Sequence, residues 1–286
     1  MHPYRSVLYM PGSNARALEK ARSLDVDALI LDLEDAVAPA EKPAARALVC
    51  AAVKAGGFGA RRVLIRVNGA DTEWGAADLA AAIDAAPHGI LLPKVNGPED
   101  FAALAALLDG HSTQIWAMME TPLAVLNAAA IAAAPQLAGM VMGTNDLVKD
   151  LGITLRADRA QIATALSLCL LAARAHGVVC VDGVYNAFRD DDGLRAECEQ
   201  GRDMGFDGKT LIHPAQLAVA NAVFAPDPAA LELAQRHIAA YSAALADGLA
   251  VAVVDGKIVE NLHVASAKNL IARAEMIALR TKDAQQ

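Results

Sequence analysis

Cysteine, aromatic residues and positive charge are all in short supply in this 286-residue chain, and no apolar stretch is long. Its four cysteines, Cys50, Cys169, Cys180 and Cys198, form no CxxC pair and have no histidine at metal-ligand spacing. That excludes a zinc ribbon or a dithiol redox motif and leaves buried free thiols. Lys and Arg number 25 against 33 Asp and Glu, a net charge of −8. Without a basic face to neutralise phosphates, non-specific nucleic-acid binding is excluded, and an anionic ligand needs a local basic pocket. The longest apolar stretches, Leu123–Ile131 and Thr164–Ala173, are shorter than the roughly 20 residues that span a bilayer, so neither a membrane span nor a membrane partner is expected. At the N-terminus the run Val7–Met10 falls short of a secretory segment of about 7–15 apolar residues, and the chain reads as cytoplasmic. What is abundant is apolar: 55% of residues are hydrophobic and 20% charged, which excludes disorder as the dominant state.

Eight short apolar runs recur, each followed by a turn signal and a helical pattern: Val7–Met10, Ala28–Leu33, Arg62–Val67, Ile90–Val95, Ile115–Glu120, Met140–Gly143, Val178–Val184 and Thr210–His213. Strands alternating with helices imply a parallel sheet. Runs such as LILDL, GILLP and GMVMG are nearly continuous, as strands buried on both faces require. The pattern predicts an α/β fold, a (β/α)8 TIM barrel over residues 1–225, with residues 226–286 as a small C-terminal helical extension. The alternative, a doubly wound open sheet, would show a glycine-rich phosphate turn after its first strand, and PGSNAR lacks the GxGxxG spacing. In the extension, helices are predicted over Ala229–Ala246 and Val264–Lys282, with a hairpin turn at Asp255–Gly256 between them. This tail is expected to lack its own core and to pack on its own barrel or a neighbour's.

In such a barrel the chemistry sits where the strands end. The residues there are Asp32, Glu34 and Asp35, Arg66 and Asn68, Lys94, Glu120, Asn145 and Asp146, Asp182, and His213. Glu120 and Asp146 end neighbouring strands, and a pair of carboxylates suffices for Mg²⁺, which keeps several waters and substrate oxygens. Equally, Asp146 caps a helix and Glu120 is an N-terminal helix charge. Arg66 suits a substrate carboxylate, which it would meet bidentately, or an internal pair with an acid of the DLED segment. The acids of that segment suit a solvated loop or an outer shell around metal-bound water. His213 reads as a structural histidine, and Lys94 is the one lysine to consider at a strand end.

The stretches LYMPGSN, DALILDLEDAVAPAEKPAAR, IRVNGADT, ILLPKV, METPLAVLNAAAIA, GTNDL and the long segment from DGVYNAF to NAVFAP run in order from residue 5 to about 225. Together they resemble the citrate lyase β-subunit/malyl-CoA lyase family of HpcH/HpaI-type aldolases. The resemblance implies cleavage, or formation, of a 3-hydroxyacyl-CoA ester such as malyl-CoA or citramalyl-CoA, giving an α-keto acid and an acyl-CoA. It implies Mg²⁺, or Mn²⁺ in its place, on Glu120 and Asp146, and a keto-acid carboxylate on Arg66. It assigns Tyr9 and Lys20 to the entrance for coenzyme A or substrate, and the backbone at Asn145, Ile212 and His213 to substrate contacts. It implies a homo-oligomer, a trimer or a hexamer, in which an acid of the tail completes a neighbouring subunit's site. Two positions depart from the family pattern. Asn14 stands where malyl-CoA lyases carry a basic residue, and GKIVENLH places Glu260 where the family has aspartate. Two other readings stand beside the free lyase: a citrate lyase β-subunit acting on an acyl-carrier-protein thioester, and a barrel kept only as a binding module.

Overall fold

The computed structural model describes residues 2–283, with side chains through residue 280; the outermost ends of the two expected segments lie outside the described residues. The chain divides into a unit spanning Tyr4–Phe224 and a second unit that contains the segment from Ala225 onward.

The first unit is the expected closed barrel. Its strands are β1 Ser6–Pro11, β2 Ala28–Asp32, β3 Arg62–Arg66, β4 Gly89–Leu92, β5 Gln114–Met119, β6 Leu137–Met142, β7 Val179–Asp182 and β8 Gly208–Leu211. Each pairs in parallel with the next, and β8 closes on β1 through Ser6↔Lys209 and Leu8↔Leu211. Along β2 successive side chains point to opposite faces. Leu29 and Leu31 join the large core between strands and helices, whereas Ala28 and Ile30 fill the barrel interior with Val7, Leu64, Leu91 and Val181. Burial on both faces is why these strands read as unbroken apolar runs.

Trp116 is the largest interior side chain, 1% exposed. A Cβ on Gly139 of β6 would lie 2.2 Å from its ring, so the indole takes the space that glycine leaves. The β5–β6 register shifts between Ile115 and Trp116, where Trp116 pairs with Gly139.

The expected runs at the fourth, fifth and seventh strands extend to Val95, Glu120 and Val184, whereas pairing stops at Leu92, Met119 and Asp182. The residues just beyond turn out of the ladder and form the rim.

In the second unit, helices span Pro228–Ala246 and Asn261–Asp283, and strands Ala252–Val254 and Lys257–Val259 form an antiparallel hairpin. Asp255 and Gly256 turn it with φ of +50° and +74°, the pair of positive φ values that a two-residue hairpin turn requires. The tail is not coreless as expected. Ala244, Ala252, Val254, Val259 and Val264 bury one another, with Ile238 and Tyr241 packed against them, because the hairpin folds its inner face back onto both helices.

Candidate active site

The last residues of β2 and β3 pair side by side, Asp32 with Arg66, so a carboxylate and a guanidinium leave the barrel together. Arg66 Nε and Nη2 donate to Asp32 Oδ1 and Oδ2 at 2.7 and 2.6 Å. Nη1 lies 2.7 Å from Glu34 Oε2 and 3.3 Å from Asp35 Oδ2. Asp32 also accepts the amides of Glu34 and Ala36 at 2.9 and 3.1 Å, so its oxygens are fully used. The Tyr9 ring lies 5.0 Å from the guanidinium carbon, a cation–π contact. Arg66 is 6% exposed. Burial works against its charge, but the Asp32 carboxylate outweighs that and holds it above the usual range. The internal pair and the rim position are therefore both real: one edge of the fork serves Asp32, and Nη1 faces the cavity acids.

Glu120 follows β5 and is 1% exposed. Its Oε1 accepts the Lys94 amide at 2.6 Å. Behind it, a Cβ on Gly143 would come within 2.3 Å of Glu120 Cβ and 2.6 Å of Oε2, so glycine there leaves room for the carboxylate. Asp146 stands half-buried in the first turn of the helix Thr144–Leu151 that follows β6. Burial, and then the charge of Asp146, push the Glu120 carboxyl up to about 7 against the Lys94 amide, Arg66 and Lys94. Burial also pushes Glu34 to about 7, with Asp35, Glu120 and Asp32 adding to it and Arg66 opposing. Burial raises the Tyr9 phenol as well.

Tyr9, Asp32, Asp35, Arg66, Glu120 and Asp146 share one cavity of about 300 Å³. Of the expected site residues, Tyr9, Arg66, Glu120, Asn145, Asp146 and Ile212 line it, and Met118, Met142 and Val184 supply an apolar wall. Asp32, Asp35, Glu120 and Asp146 set four carboxyl groups in the lining against the single cation Arg66. Among the described residues no group of three or more His, Cys, Asp or Glu is arranged for a metal. Mg²⁺, however, is held by one or two carboxylates with water and substrate oxygens. The lining's excess of acids, with Glu120 and Asp146 both in it, fits a divalent ion on those two residues.

Lys20 and His213 do not line the cavity. Lys20 is exposed on the helix Ala15–Ala21, in a surface depression with Arg16 and Arg22. Asn14 caps that helix by accepting the Ala17 amide at 3.1 Å, a local reason for the residue there. The Ile212 and His213 amides both donate to Gln216 Oε1, at 2.9 and 3.2 Å, so neither is free for a substrate oxygen. The His213 Nδ1 accepts the Ala215 amide at 3.1 Å and its ring packs 4.7 Å from Phe188. Asn145 and Asn186 exchange side-chain hydrogen bonds at 2.8 and 3.3 Å. Asp182 is no rim acid. It lies fully buried against Arg159 at 2.8 Å and Lys209 at 3.1 Å, which hold its carboxyl below the usual range despite burial. Glu260, in the second unit, is exposed just before the helix Asn261–Asp283, and its amide donates to His263 Nδ1 at 3.0 Å. The Lys94 amide and Gln216 have no sequence signal, since nothing in the spacing tells which backbone donors a side chain will take.

The model of the HpcH/HpaI aldolase/citrate lyase family matches residues 5–214. A protein named (3S)-malyl-CoA thioesterase from Cereibacter sphaeroides (strain KD131 / KCTC 12085) is 62% identical over 277 residues, covering 97% of this chain and 96% of that one. Citrate lyase subunit beta of Escherichia coli (strain K12) is 32% identical, covering 96% and 95%. The crystal structure of CitE from Mycobacterium tuberculosis with magnesium, acetoacetate and coenzyme A superposes with a TM-score of 0.79 at 30% identity, over 96% of this chain and 98% of that one. This chain is thus an enzyme belonging to the HpcH/HpaI aldolase/citrate lyase family.

Proposed function

We propose that the enzyme acts on a 3-hydroxyacyl-CoA whose hydroxyl-bearing carbon carries a carboxylate, of the malyl-CoA type, and that it hydrolyses the thioester. The observation that carries the substrate class is the meeting of Arg66 with the Glu120/Asp146 pair in one cavity of about 300 Å³. That volume suits a short acyl group and leaves the nucleotide of coenzyme A outside. Glu120 and Asp146 would hold Mg²⁺ or Mn²⁺. Bound there, a divalent cation supplies Lewis-acid stabilisation of negative charge on substrate oxygens. Arg66 would take the substrate carboxylate through Nη1, with Asp32 keeping the guanidinium in place. The wall of Met118, Met142 and Val184 excludes water from the rest of the acyl chain.

Hydrolysis is favoured by the 62% identity, along nearly the whole chain, to a protein named malyl-CoA thioesterase. The oxygen of water would bond to the thioester carbon, the carbon–sulfur bond would break, and the thiolate would take a proton. The second reading, carbon–carbon cleavage, is favoured by the family model itself. There the hydroxyl proton is removed, the bond between the hydroxyl carbon and the carbon next to the thioester breaks, and that carbon is protonated. Citryl cleavage as a citrate lyase β-subunit ranks third, resting on relatives about half as similar. We also infer a cytoplasmic homo-oligomer, trimer or hexamer, in which Glu260 serves a neighbouring subunit's site as acid or base.

Incubating purified enzyme and Mg²⁺ with (3S)-malyl-CoA, and measuring free thiol and glyoxylate separately, tests these readings. Thiol with malate and no glyoxylate supports hydrolysis, glyoxylate with acetyl-CoA replaces it by cleavage, and no turnover removes malyl-CoA as the substrate.

A further inference from the structure

We propose that Glu34 is a proton-carrying residue of this site: it leaves Arg66 Nη1 when a ligand carboxylate arrives, and takes up a proton as it leaves. The inference rests on the reading that Arg66 receives that carboxylate. Three features of the rim lead to it.

First, Nη1 is the corner of the guanidinium that Asp32 leaves entirely open. Nε and Nη2 are bound to Asp32 at 2.7 and 2.6 Å, and Asp32 cannot withdraw, because its oxygens also hold the Glu34 and Ala36 amides. A ligand carboxylate that reaches Nη1, alone or together with the second N–H of Nη2, meets Glu34 Oε2, 2.7 Å from Nη1, and Asp35 Oδ2 at 3.3 Å.

Second, Glu34 is held there by charge alone. Its Oε2 is buried and makes no aligned hydrogen bond, whereas a ligand meeting the fork in its plane would gain one. The backbone around it is pinned. Lys42 Nζ donates to the carbonyls of Leu33 and Glu34 at 2.9 and 2.8 Å and to Asn68 Oδ1 at 2.7 Å, and the Leu33 amide donates to the Arg66 carbonyl at 2.9 Å. The exchange is thus a side-chain rotation, not a movement of the loop.

Third, Glu34 loses its nearest cation when Arg66 turns to a ligand. The groups that act on it are Arg66, Asp35, Glu120 and Asp32, and the Lys94 ammonium also feels it. Once Arg66 turns to the ligand, the exposed Lys94 is the cation left to a side chain that is only 12% exposed, with Asp35 and Asp32 beside it. A buried carboxylate that loses its cation is neutralised by protonation. Asp35, with its side chain 67% exposed, faces water instead. Burial already holds the Glu34 carboxyl at about 7 in the free enzyme, which agrees with the geometry. The proton comes from solvent and remains on a Glu34 oxygen beside the ligand.

The test uses the whole enzyme pre-saturated with Mg²⁺ and titrated with glyoxylate by calorimetry at pH 7.5, in two buffers of different ionisation enthalpy. The wild type is expected to take up a substantial fraction of a proton per glyoxylate bound. Glu34→Gln is expected to take up almost none and to bind glyoxylate about tenfold more tightly, equivalent to ~1.4 kcal/mol, because the competing charge is gone. Equal proton stoichiometry in wild type and a folded Glu34→Gln would overturn the inference. So would a wild type that takes up no proton. Arg66→Lys separates this from the underlying reading. If it leaves glyoxylate affinity unchanged, the carboxylate does not bind Arg66 and both fail. If it weakens binding while Glu34→Gln changes nothing, the inference on Glu34 alone fails.

Discussion

Lys94 adopts a left-handed backbone, φ +51°, and from it donates its amide to Glu120 Oε1 at 2.6 Å. A non-glycine residue in that region costs roughly 1–2 kcal/mol, and the bond gained fixes a buried carboxylate at the rim. Burial works against charge on Lys94, but Glu34, Asp146, Glu120 and Asp35 together hold its ammonium above the usual range.

Lys94→Gly keeps the amide and removes the strain. At pH 5, where Glu34 and Glu120 carry protons, the metal-free variant is expected to match the wild type or exceed it by up to about 1 kcal/mol in urea unfolding. A loss greater than that would mean the left-handed backbone is not the source of strain.

Glu34 and Glu120 both hold their protons up to about 7, above an ordinary carboxyl near 4.5. Between those values the folded state binds more protons than the unfolded one, so metal-free stability is expected to fall as pH rises from 4.5 to 7, by up to a few kcal/mol. Mg²⁺ binds the ionised carboxylates and should restore most of the loss at pH 7.5. Melting temperatures at pH 5 and 7.5, with and without Mg²⁺, check the sign. A metal-free protein more stable at pH 7.5 would contradict it.

Asp182 is the common partner of Arg159, 1% exposed, and Lys209, fully buried. Asp182→Ala leaves two buried cations with Glu197 alone and is expected to destabilise the barrel by about 3–5 kcal/mol. Denaturant unfolding measures this directly, and a cost below about 1 kcal/mol would show that the cluster is hydrated.

Much of this barrel was legible because strands buried on both faces announce themselves: LILDL and GMVMG leave no other assignment, and Asp-Gly marks the hairpin turn. Arg66, Glu120 and Asp146 were legible for a related reason, since charged residues that close apolar strands must reach the rim. Asp182 satisfied the same rule and misled, because Arg159 approaches it from 23 residues away in sequence and no spacing foretells that pairing. His213 and Ile212 likewise gave no sign that Gln216 would claim their amides. The tail's core went unseen because its five small residues bury one another only after the hairpin closes.

Glu260 is exposed, its amide donates to His263 Nδ1, and its carbonyl accepts the His263 and Val264 amides. If the side chain serves a neighbouring subunit, mixing Glu260→Gln with Arg66→Ala subunits should regain a quarter or so of wild-type activity, since hybrid oligomers contain some sites with neither lesion. No recovery in preparations shown by mass spectrometry to contain hybrids would exclude a shared site.

The most direct measurement is calorimetric titration of the metal-free enzyme with Mg²⁺, with Glu120→Gln and Asp146→Asn in parallel. One ion per chain in the wild type, and binding weakened at least tenfold in each variant, is the predicted result, because the site offers few protein ligands and each variant removes one of them. Unchanged Mg²⁺ affinity in both folded variants would contradict it, and would remove the metal from Glu120 and Asp146 altogether.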